Sequence, residues 1–416
     1  MTTKETPAQG IPGTEPGCMH RDERDSGGRV LLIVQRFHAG PGAGGAQMRY
    51  LALVHGLRAL VATDVISVAH VRDSVRHPGP CDPPVPETVT TADGVAPLPY
   101  RAEYCSEAAR LLTGIVGGDK YAAVVFSDFQ IHTYAAEVRA ACRVPLLVDL
   151  HNAEAVLYEA MVTHPAWPWA AHLSDRSGAW LPAVRHAERQ LVELADAVAV
   201  PSPEDRNALL QYGLSTPVTV VPNAMPVEET CRPSIPSRPR ACVFVGALSY
   251  FPNAMAALDI VTVLAPIMRA ALPEMPVVLA GRNPPAFLLD AARNSPVRIV
   301  ANPPEIRPLL VDAVQIVPLK LGGGTRLKII ESFAYGTTVV SSAKGIEGIA
   351  AQPGSHYLAA EGAADYVSAV GAVLRDPHED LVRRQHAWDL AQQHYSWNSL
   401  PSRLRQLFDT GGIQLP

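Results

Sequence analysis

The sequence lacks the cysteine and metal-ligand patterns of disulfide-bonded and metal-binding proteins. Its six cysteines are scattered over 416 residues without a CxxC pair, which excludes a disulfide framework and a structural zinc site. There is no DxD motif, no His, Asp or Glu cluster at metal-ligand spacing and no GxSxG nucleophile elbow. We therefore expect reduced thiols and a site that needs neither a cofactor nor a metal ion.

Long apolar runs are also missing. No stretch approaches the roughly 18 uninterrupted apolar residues of a membrane helix. Residues 1–28 are polar, rich in Gly and Pro, and without the apolar segment of a signal peptide. We expect a cytoplasmic protein with a disordered tail over residues 1–28 and no integral membrane segment.

Positive charge is scarce in the first half of the chain. Residues 1–230 contain 18 Lys and Arg against 26 Asp and Glu, whereas residues 231–416 contain 17 against 14. This scarcity disfavours nucleic acid and an anionic bilayer surface as partners, because both are bound through clustered cations. The acidic half suits a small cationic ligand, unless its charge only maintains solubility.

The chain is longer than the roughly 250–300 residues that one core usually serves, so two domains are expected. Short apolar runs alternate with amphipathic ones, which predicts an α/β fold with two doubly wound, Rossmann-like domains facing across a cleft. The predicted strands are residues 29–34, 64–68, 122–127, 145–149, 197–200, 218–221, 241–245, 277–280, 297–301, 313–318 and 338–341. The predicted divisions are a domain over 29–225, a Pro-rich linker over 226–240, a second domain over 241–395, and a C-terminal helix over 396–416 that can pack back on the first domain.

Three glycines precede a predicted helix in the second domain. Gly322, Gly323 and Gly324 follow a strand, and we expect Thr325 to cap a helix that ends at Gly336. Glycines at this place let a bulky ligand approach closely and leave backbone N–H groups free for an anion.

Two cations follow at once. Arg326 and Lys328 fall in the predicted first turn of this helix, where the dipole disfavours positive charge unless an anion is present. They indicate a bound phosphate or diphosphate, the alternative being a glycine loop with two solvated basic side chains. Glu331 lies one turn further on, where it can accept hydrogen bonds from the two hydroxyls of a ribose or pair with Lys328.

The first domain has its own glycine-rich loop. Gly40, Gly42 and Gly45 satisfy GxGxxG, the pattern of a dinucleotide site. The match is weak, because Pro41 interrupts it and Asp64 begins the next strand instead of ending it at the ligand edge.

Polar residues also follow the strand at 145–149. His151 comes directly after that strand, where ligands of such sheets bind, although a lone histidine is more often structural. His132 is a weaker companion, and Asn152 and Glu154 can orient a sugar or an acceptor. Glu204 fits the first turn of a helix better than a catalytic role.

Residues 322–349, GGGTRLKIIESFAYGTTVVSSAKGIEGI, resemble the nucleotide-sugar site of glycosyltransferase family 4, retaining enzymes of the GT-B fold, in the subgroup with GGGTRLKILEA. VFVGALSYFPNAMAALDIV at 243–261, VPNAM at 221–225 and HYSW at 394–397 extend the resemblance over most of the chain. Two departures stand out. The first of the family's two glutamates falls on Gly323, which leaves the donor sugar open, and no cation follows the strand at 241–245.

The resemblance implies roles for particular residues. His151, Arg326 and Lys328 would form the catalytic set, with His151 hydrogen-bonded to the donor sugar near the reacting carbon. The implied donor-binding set, with no metal, is Gly44, Gly45, Gly246, Gly323, Gly324, Thr325 and Glu331.

The same resemblance implies the reaction. A nucleotide sugar would be the donor in the second domain, and its sugar would pass with retention to a hydroxyl of an acceptor in the first. Enzymes of this subgroup that glycosylate aminocyclitols in antibiotic biosynthesis look similar, so our hypothesis is N-acetylglucosamine transfer from UDP to an aminocyclitol such as 2-deoxystreptamine. The alternatives are an exopolysaccharide or cell-wall sugar transferase, a nucleotide-sugar epimerase and an inactive glycan-binding protein.

Overall fold

A computed structural model describes residues 19–20, 28–36, 44–74, 88–91, 94–97, 104–118, 120–164, 180–227 and 230–415. Two separate sheets, flanked by helices, dominate these residues. The first sheet has seven strands in the order β1-β3-β2-β6-β7-β8-β9, and the second has six in the order β12-β11-β10-β13-β14-β15. The chain therefore has the predicted α/β class.

The first sheet is parallel except at one edge. Its strands are β1 (Met19–His20), β2 (Arg29–Val34), β3 (Ala62–Ser67), β6 (Tyr121–Ser127), β7 (Leu146–Asp149), β8 (Ala197–Val200) and β9 (Val218–Val220). The β1 strand pairs antiparallel with β3, so the tail expected over residues 1–28 contributes a short edge strand. A separate hairpin joins β4 (Thr88–Thr91) and β5 (Gly94–Pro97). The central strands are buried on both faces because helices cover them, as apolar runs such as RVLLIV predict.

Seven helices are described around the first sheet before the chain crosses to the second. They are α1 (Gly45–Arg58), α2 (Val68–Ser74), α3 (Ser106–Val116), α4 (His132–Ala141), α5 (Glu154–Val162), α6 (Trp180–Leu194) and α7 (Pro203–Leu210).

The second sheet is parallel throughout. Its strands are β10 (Ala241–Val245), β11 (Val277–Gly281), β12 (Val297–Ala301), β13 (Ala313–Val317), β14 (Thr338–Ser341) and β15 (Leu358–Ala359). Its helices are α8 (Phe251–Asp259), α9 (Ala265–Ala271), α10 (Ala286–Ala292), α11 (Arg307–Leu310), α12 (Leu327–Ala334), α13 (Ala343–Ile346), α14 (Ala363–Arg375) and α15 (Pro377–His394). The last helix, α16 (Leu400–Thr410), belongs to the first sheet.

The chain crosses between the two sheets twice, and the two crossings contact each other. The Met225 N–H donates to the Tyr395 carbonyl at 2.8 Å, and the Trp397 N–H donates to the Met225 carbonyl at 2.9 Å. After the second crossing, α16 returns to the first sheet and packs on α1. A Cβ at Gly56 of α1 would lie 2.6 Å from Leu404 Cδ1, so this glycine permits close helix contact.

By length and composition alone, one described helix could cross a membrane. It spans Phe251–Ala271 and continues from α8 to α9 through a π-helical turn at Ile260–Leu264. Half of its most apolar window is buried inside the protein, where Ala257, Ile260 and Leu264 belong to the core beneath the second sheet.

Candidate functional site

The triple glycine lies against the first half of the molecule. Gly324 has φ +62°, and a Cβ there would lie 2.6 Å from the His151 carbonyl oxygen. A Cβ at Gly323 would lie 3.0 Å from Asn152 Cβ. The glycines therefore permit contact between the two halves as well as any approach of a ligand.

Arg326 folds back onto this turn. Its Nη1 donates to the carbonyls of Gly323 and Gly324, and its Nη2 donates to the Lys344 carbonyl at 3.2 Å. The Glu347 carboxylate lies 3.7 Å away. Burial lowers the pKa of the Arg326 guanidinium, and its buried Nε has no hydrogen-bond partner in the part of the chain that the structure describes. Arg326 therefore uses most of its N–H donors to stabilise the glycine turn.

The start of α12 differs from the prediction. Arg326, not Thr325, occupies the N-cap position, and no side chain caps the helix. The buried Thr325 hydroxyl finds no hydrogen-bond partner among the described residues, because Thr325 lies one position too early to reach the first-turn N–H groups. Gly336 follows the helix with φ +65°, as a C-terminal glycine should.

Lys328 is the cation of this motif that turns toward the second sheet. Its Nζ donates to Asn253 Oδ1 at 2.6 Å and lies 4.1 Å from the centre of the Phe244 ring. A Cβ at Gly246 would be 2.8 Å from the same Nζ. Burial and the nearby Arg326 charge lower the pKa of Lys328 to about 7, although Glu331 opposes the shift.

Glu331 is the least satisfied charged group of the motif. Burial raises the pKa of its carboxyl to about 7, and Lys328 lowers it only in part. Across the described residues, neither a hydrogen bond nor an ion pair within 4 Å reaches this carboxylate. The ion pair with Lys328, one of the two sequence hypotheses, is therefore not formed. An acceptor-only group held in this state suits a ligand that brings its own donors.

Gly44 and Gly45 lie at the start of α1, in the first half of the molecule. Gly44 is the N-cap residue, and a Cβ on it would lie 2.2 Å from an Nη atom of Arg282. A Cβ on Gly45 would lie 3.6 Å from Leu327 Cδ1. Gly40 and Gly42 of the GxGxxG match lie outside the described residues. Arg282, which follows β11, supplies a cation at this glycine loop that sequence reasoning missed, because it belongs to no motif.

His151 follows β7 and is mostly buried. Its Nε2 lies 3.1 Å from Ser127 Oγ and 3.7 Å from Asp149 Oδ2, and its Nδ1 lies 3.8 Å from Asp128 Oδ2. Burial lowers the pKa of the imidazole more strongly than the two aspartates raise it. The Tyr50 hydroxyl donates to Asp128 Oδ2 at 2.9 Å and so occupies one of these oxygens.

The other polar residues considered from the sequence stand apart from the His151 contacts. His132 begins α4, where its Nδ1 lies 3.1 Å from the Phe129 carbonyl and its ring stacks on Phe129. Asn152 donates to the Glu154 carboxylate. Glu204 is a first-turn acid of α7, as expected.

A buried ion pair behind His151 was not predicted. Arg49 Nε lies 3.0 and 3.1 Å from the two Asp149 oxygens, and Arg49 Nη1 donates to the Val221 carbonyl and to Asn223 Oδ1. The sequence offers one faint signal, an arginine in the apolar helical run of α1. Within the described part of the chain, no group of three or more His, Cys, Asp or Glu residues could hold a metal ion. The roles of all these residues toward a ligand stay predictions.

Comparisons with known proteins identify the family of the chain. Residues 44–224 match a family model described as a glycosyl transferase 4-like domain, and residues 239–376 match glycosyl transferases group 1. No curated protein sequence matches the chain.

Solved structures share the fold at low identity. Sucrose-phosphate synthase from Thermosynechococcus elongatus has a TM-score of 0.65 at 15% identity, over 92% of this chain and 98% of that one. HepE from Anabaena in complex with UDP-glucose has a TM-score of 0.63 at 12% identity, over 92% and 99%. The trehalose-6-phosphate synthase OtsA has a TM-score of 0.61 at 13% identity, over 93% and 100%.

Proposed function

The chain is a glycosyltransferase of the GT-B fold, and we propose that it transfers N-acetylglucosamine from a UDP donor, with retention, to a hydroxyl of an aminocyclitol such as 2-deoxystreptamine. Supporting a UDP donor, HepE, which shares the fold, has been crystallised with UDP-glucose. The donor would bind beside α12 in the second half of the chain, and the acceptor in the first half.

The observation that carries the donor assignment is the state of Glu331. A carboxylate with a pKa of about 7, and with no donor among the residues that the structure describes, lies one helical turn beyond Lys328. Two hydroxyls on adjacent ribose carbons supply two donors at the right spacing for its two oxygens. Their hydrogen bonds would favour the ionised form and so offset the cost of its burial.

The donor diphosphate would lie at the uncapped start of α12. The free N–H groups and the dipole of that end attract an anion, and the Lys328 ammonium is near. Arg326 Nε and the Thr325 hydroxyl, both buried and without a hydrogen-bond partner in the described ranges, give two further donors. Together they would replace the cations that the loop after β10 lacks.

The reaction would then need no dedicated base. The bond from the anomeric carbon to the departing diphosphate breaks as the acceptor oxygen bonds to that carbon from the same face, and the acceptor proton passes to a diphosphate oxygen. Lys328 and the α12 amides would stabilise the leaving charge. His151 would hold the donor sugar, because its imidazole is neutral and can accept a hydrogen bond.

The acceptor assignment depends on charge. The acidic first half would attract a polycationic aminocyclitol and raise its local concentration near the cleft. Asp128 lies beside His151, 3.8 Å from its ring, where a carboxylate can accept a hydrogen bond from an ammonium or hydroxyl group.

The first experiment measures binding of UDP by calorimetry. We expect Glu331→Ala to weaken it by about 1.5 to 3 kcal/mol, or roughly 10- to 150-fold, the scale of hydrogen bonds to a charged group. Glu204→Ala, an acid at the first turn of α7, is the matched control and should bind as the wild type does. Unchanged binding by the Glu331 variant would reject the ribose assignment.

A second experiment identifies the reaction. The wild type is incubated with UDP-N-acetylglucosamine, UDP-glucose or GDP-mannose, either without an acceptor or with 2-deoxystreptamine or a polysaccharide fragment, and products are read by mass spectrometry. We expect UDP-N-acetylglucosamine and 2-deoxystreptamine to give a glycoside whose anomeric configuration, read by NMR, matches that of the donor. Isomerised donor without acceptor would identify an epimerase, binding without turnover an inactive protein, and transfer only to a glycan acceptor a polysaccharide enzyme.

A further inference from the structure

A chain of buried polar groups joins the glycine turn to His151 through the interior. It begins in the second half of the molecule, where the Thr325 carbonyl accepts a hydrogen bond from Asn223 Nδ2 at 3.3 Å. It ends in the first half at the imidazole that follows β7. The groups, in order, are Thr325, Asn223, Arg49, Asp149, Ser127 and His151.

Arg49 is the centre of this chain. It is 3% exposed and its partner Asp149 is fully buried. Its Nη1 donates to Asn223 Oδ1 at 2.9 Å and to the Val221 carbonyl at 3.1 Å. These two residues lie just before Met225, where the chain crosses to the second sheet. One guanidinium therefore holds both the crossing segment and the aspartate behind His151.

The distances also assign the proton between Ser127 and His151. A serine hydroxyl has one proton, and the 2.6 Å contact from Ser127 Oγ gives it to Asp149 Oδ2. In the 3.1 Å contact with Ser127 Oγ, His151 Nε2 must then be the donor. The neutral ring is held as its Nε2–H tautomer, and Nδ1 is left as an acceptor.

We propose that Asn223 and Arg49 are positioning residues, which couple the placement of the glycine turn to the tautomer and orientation of His151. This inference rests on the proposed function, because it assumes that the turn and the imidazole meet the same donor. Both residues are more than nine-tenths buried. Asn223 meets the donor-binding set only at the Thr325 backbone carbonyl, not at the hydroxyl that would face the diphosphate, so we expect both residues to act mainly through His151. The Asn223–Thr325 hydrogen bond joins the two halves and can form only when the glycine turn is in place. An oriented His151 imidazole is needed in that same state.

The test uses the full-length variants Asn223→Ala and Arg49→Lys. The second keeps the charge but loses the planar fork that reaches three partners. Each is compared with the wild type for UDP affinity by calorimetry and for UDP release from the donor sugar that the wild type consumes. We expect UDP affinity within about twofold of wild type and, as for a misplaced site group, a turnover number lowered at least about 10-fold.

A direct readout does not need turnover. Nitrogen-15 NMR of the histidine rings, with the His151 signals identified by their loss in His151→Gln, reports which ring nitrogen bears the proton. We expect Nε2–H in the wild type and a mixture of tautomers in both variants. Arg139→Lys is the matched control, because Arg139 makes a two-point ion pair with Asp196 in the same half of the molecule.

The outcomes separate the two claims. Wild-type turnover and an unchanged tautomer in Asn223→Ala would overturn the coupling, and so would equal losses in Arg139→Lys. If the wild type binds no UDP, the proposed function fails, while the tautomer measurement still decides whether Asn223 and Arg49 orient His151. Asn223→Ala removes no charge and keeps the test valid should Arg49→Lys fold poorly.

Discussion

The two halves of the candidate site are built in opposite ways. On the first sheet, Arg49, Asp149 and Ser127 are buried and bonded to one another. On the second, Glu331 has no donor among the described residues, and the Thr325 hydroxyl and Arg326 Nε have no partner. The first half is therefore complete without a ligand, whereas the second holds polar groups that a ligand would complete.

The pKa values of two ionisable groups in the second half fit a site that a ligand completes. Lys328 has its pKa lowered to about 7 and Glu331 has its pKa raised to about 7, both first of all by burial. Each shift means that the folded protein disfavours the charged form. Groups in this state near one another are common where a charged ligand binds. We therefore expect the first half, whose polar groups are bonded to one another, to position residues, and the second half, whose charged groups lack partners, to bind the ligand.

The largest predicted effect is a loss of stability when the buried ion pair of the first half is broken. Asp149→Asn leaves the buried Arg49 charge without its counter-charge, which should lower the free energy of unfolding by about 3 to 5 kcal/mol. Denaturant unfolding followed by circular dichroism measures the change. Asp196→Asn is the control, because the Arg139–Asp196 pair is about one-third exposed and should cost only about 1 kcal/mol. Equal losses in the two variants would remove the distinction.

A smaller effect should appear in the unsatisfied half, with opposite signs for stability and binding. Lys328→Met removes a charge that the folded state disfavours, so we expect a gain of about 1 to 2 kcal/mol in unfolding free energy. The same variant should bind UDP at least about 10-fold more weakly, because the diphosphate loses an ammonium partner. Thermal unfolding measures the change in stability, and calorimetry measures the change in UDP affinity. Lys320→Met, at an exposed lysine, should change neither, and a destabilised Lys328 variant would contradict this account.

The sequence predicts a feature well when the residues that form it are close together in the chain, and poorly when they are far apart. Strands β2, β8, β10, β12 and β14 begin and end where the apolar runs do, and Glu331 and Lys328 were found because one helical motif contains them. Arg49 and Asp149 are 100 residues apart, and only the folded sheet brings them together. Arg326 was found by its motif, but its direction was not, because a side chain's choice between a ligand and nearby carbonyls depends on how the loop folds.

The smallest predicted effect is on the pH dependence of donor binding. UDP-glucose is a suitable probe, because its diphosphate has no titrating proton near neutrality. Lys328 must be protonated to bind the diphosphate, so affinity should fall as pH rises above its pKa of about 7. Glu331 must be ionised to accept two ribose hydrogen bonds, so affinity should also fall as pH drops below its pKa of about 7.

Calorimetry should therefore find the tightest binding near pH 7. With two groups titrating at that pH, the affinity at pH 6 and at pH 8 should be about threefold weaker. Glu331→Gln should flatten the acid side alone, and Lys328→Met the alkaline side alone. The Arg49 pair faces no such ligand, and Arg49→Lys should leave the shape of the curve unchanged. A flat curve in the wild type would mean that these two groups do not meet the donor, and a curve reshaped by Arg49→Lys would mean that the two halves are not separate in their roles.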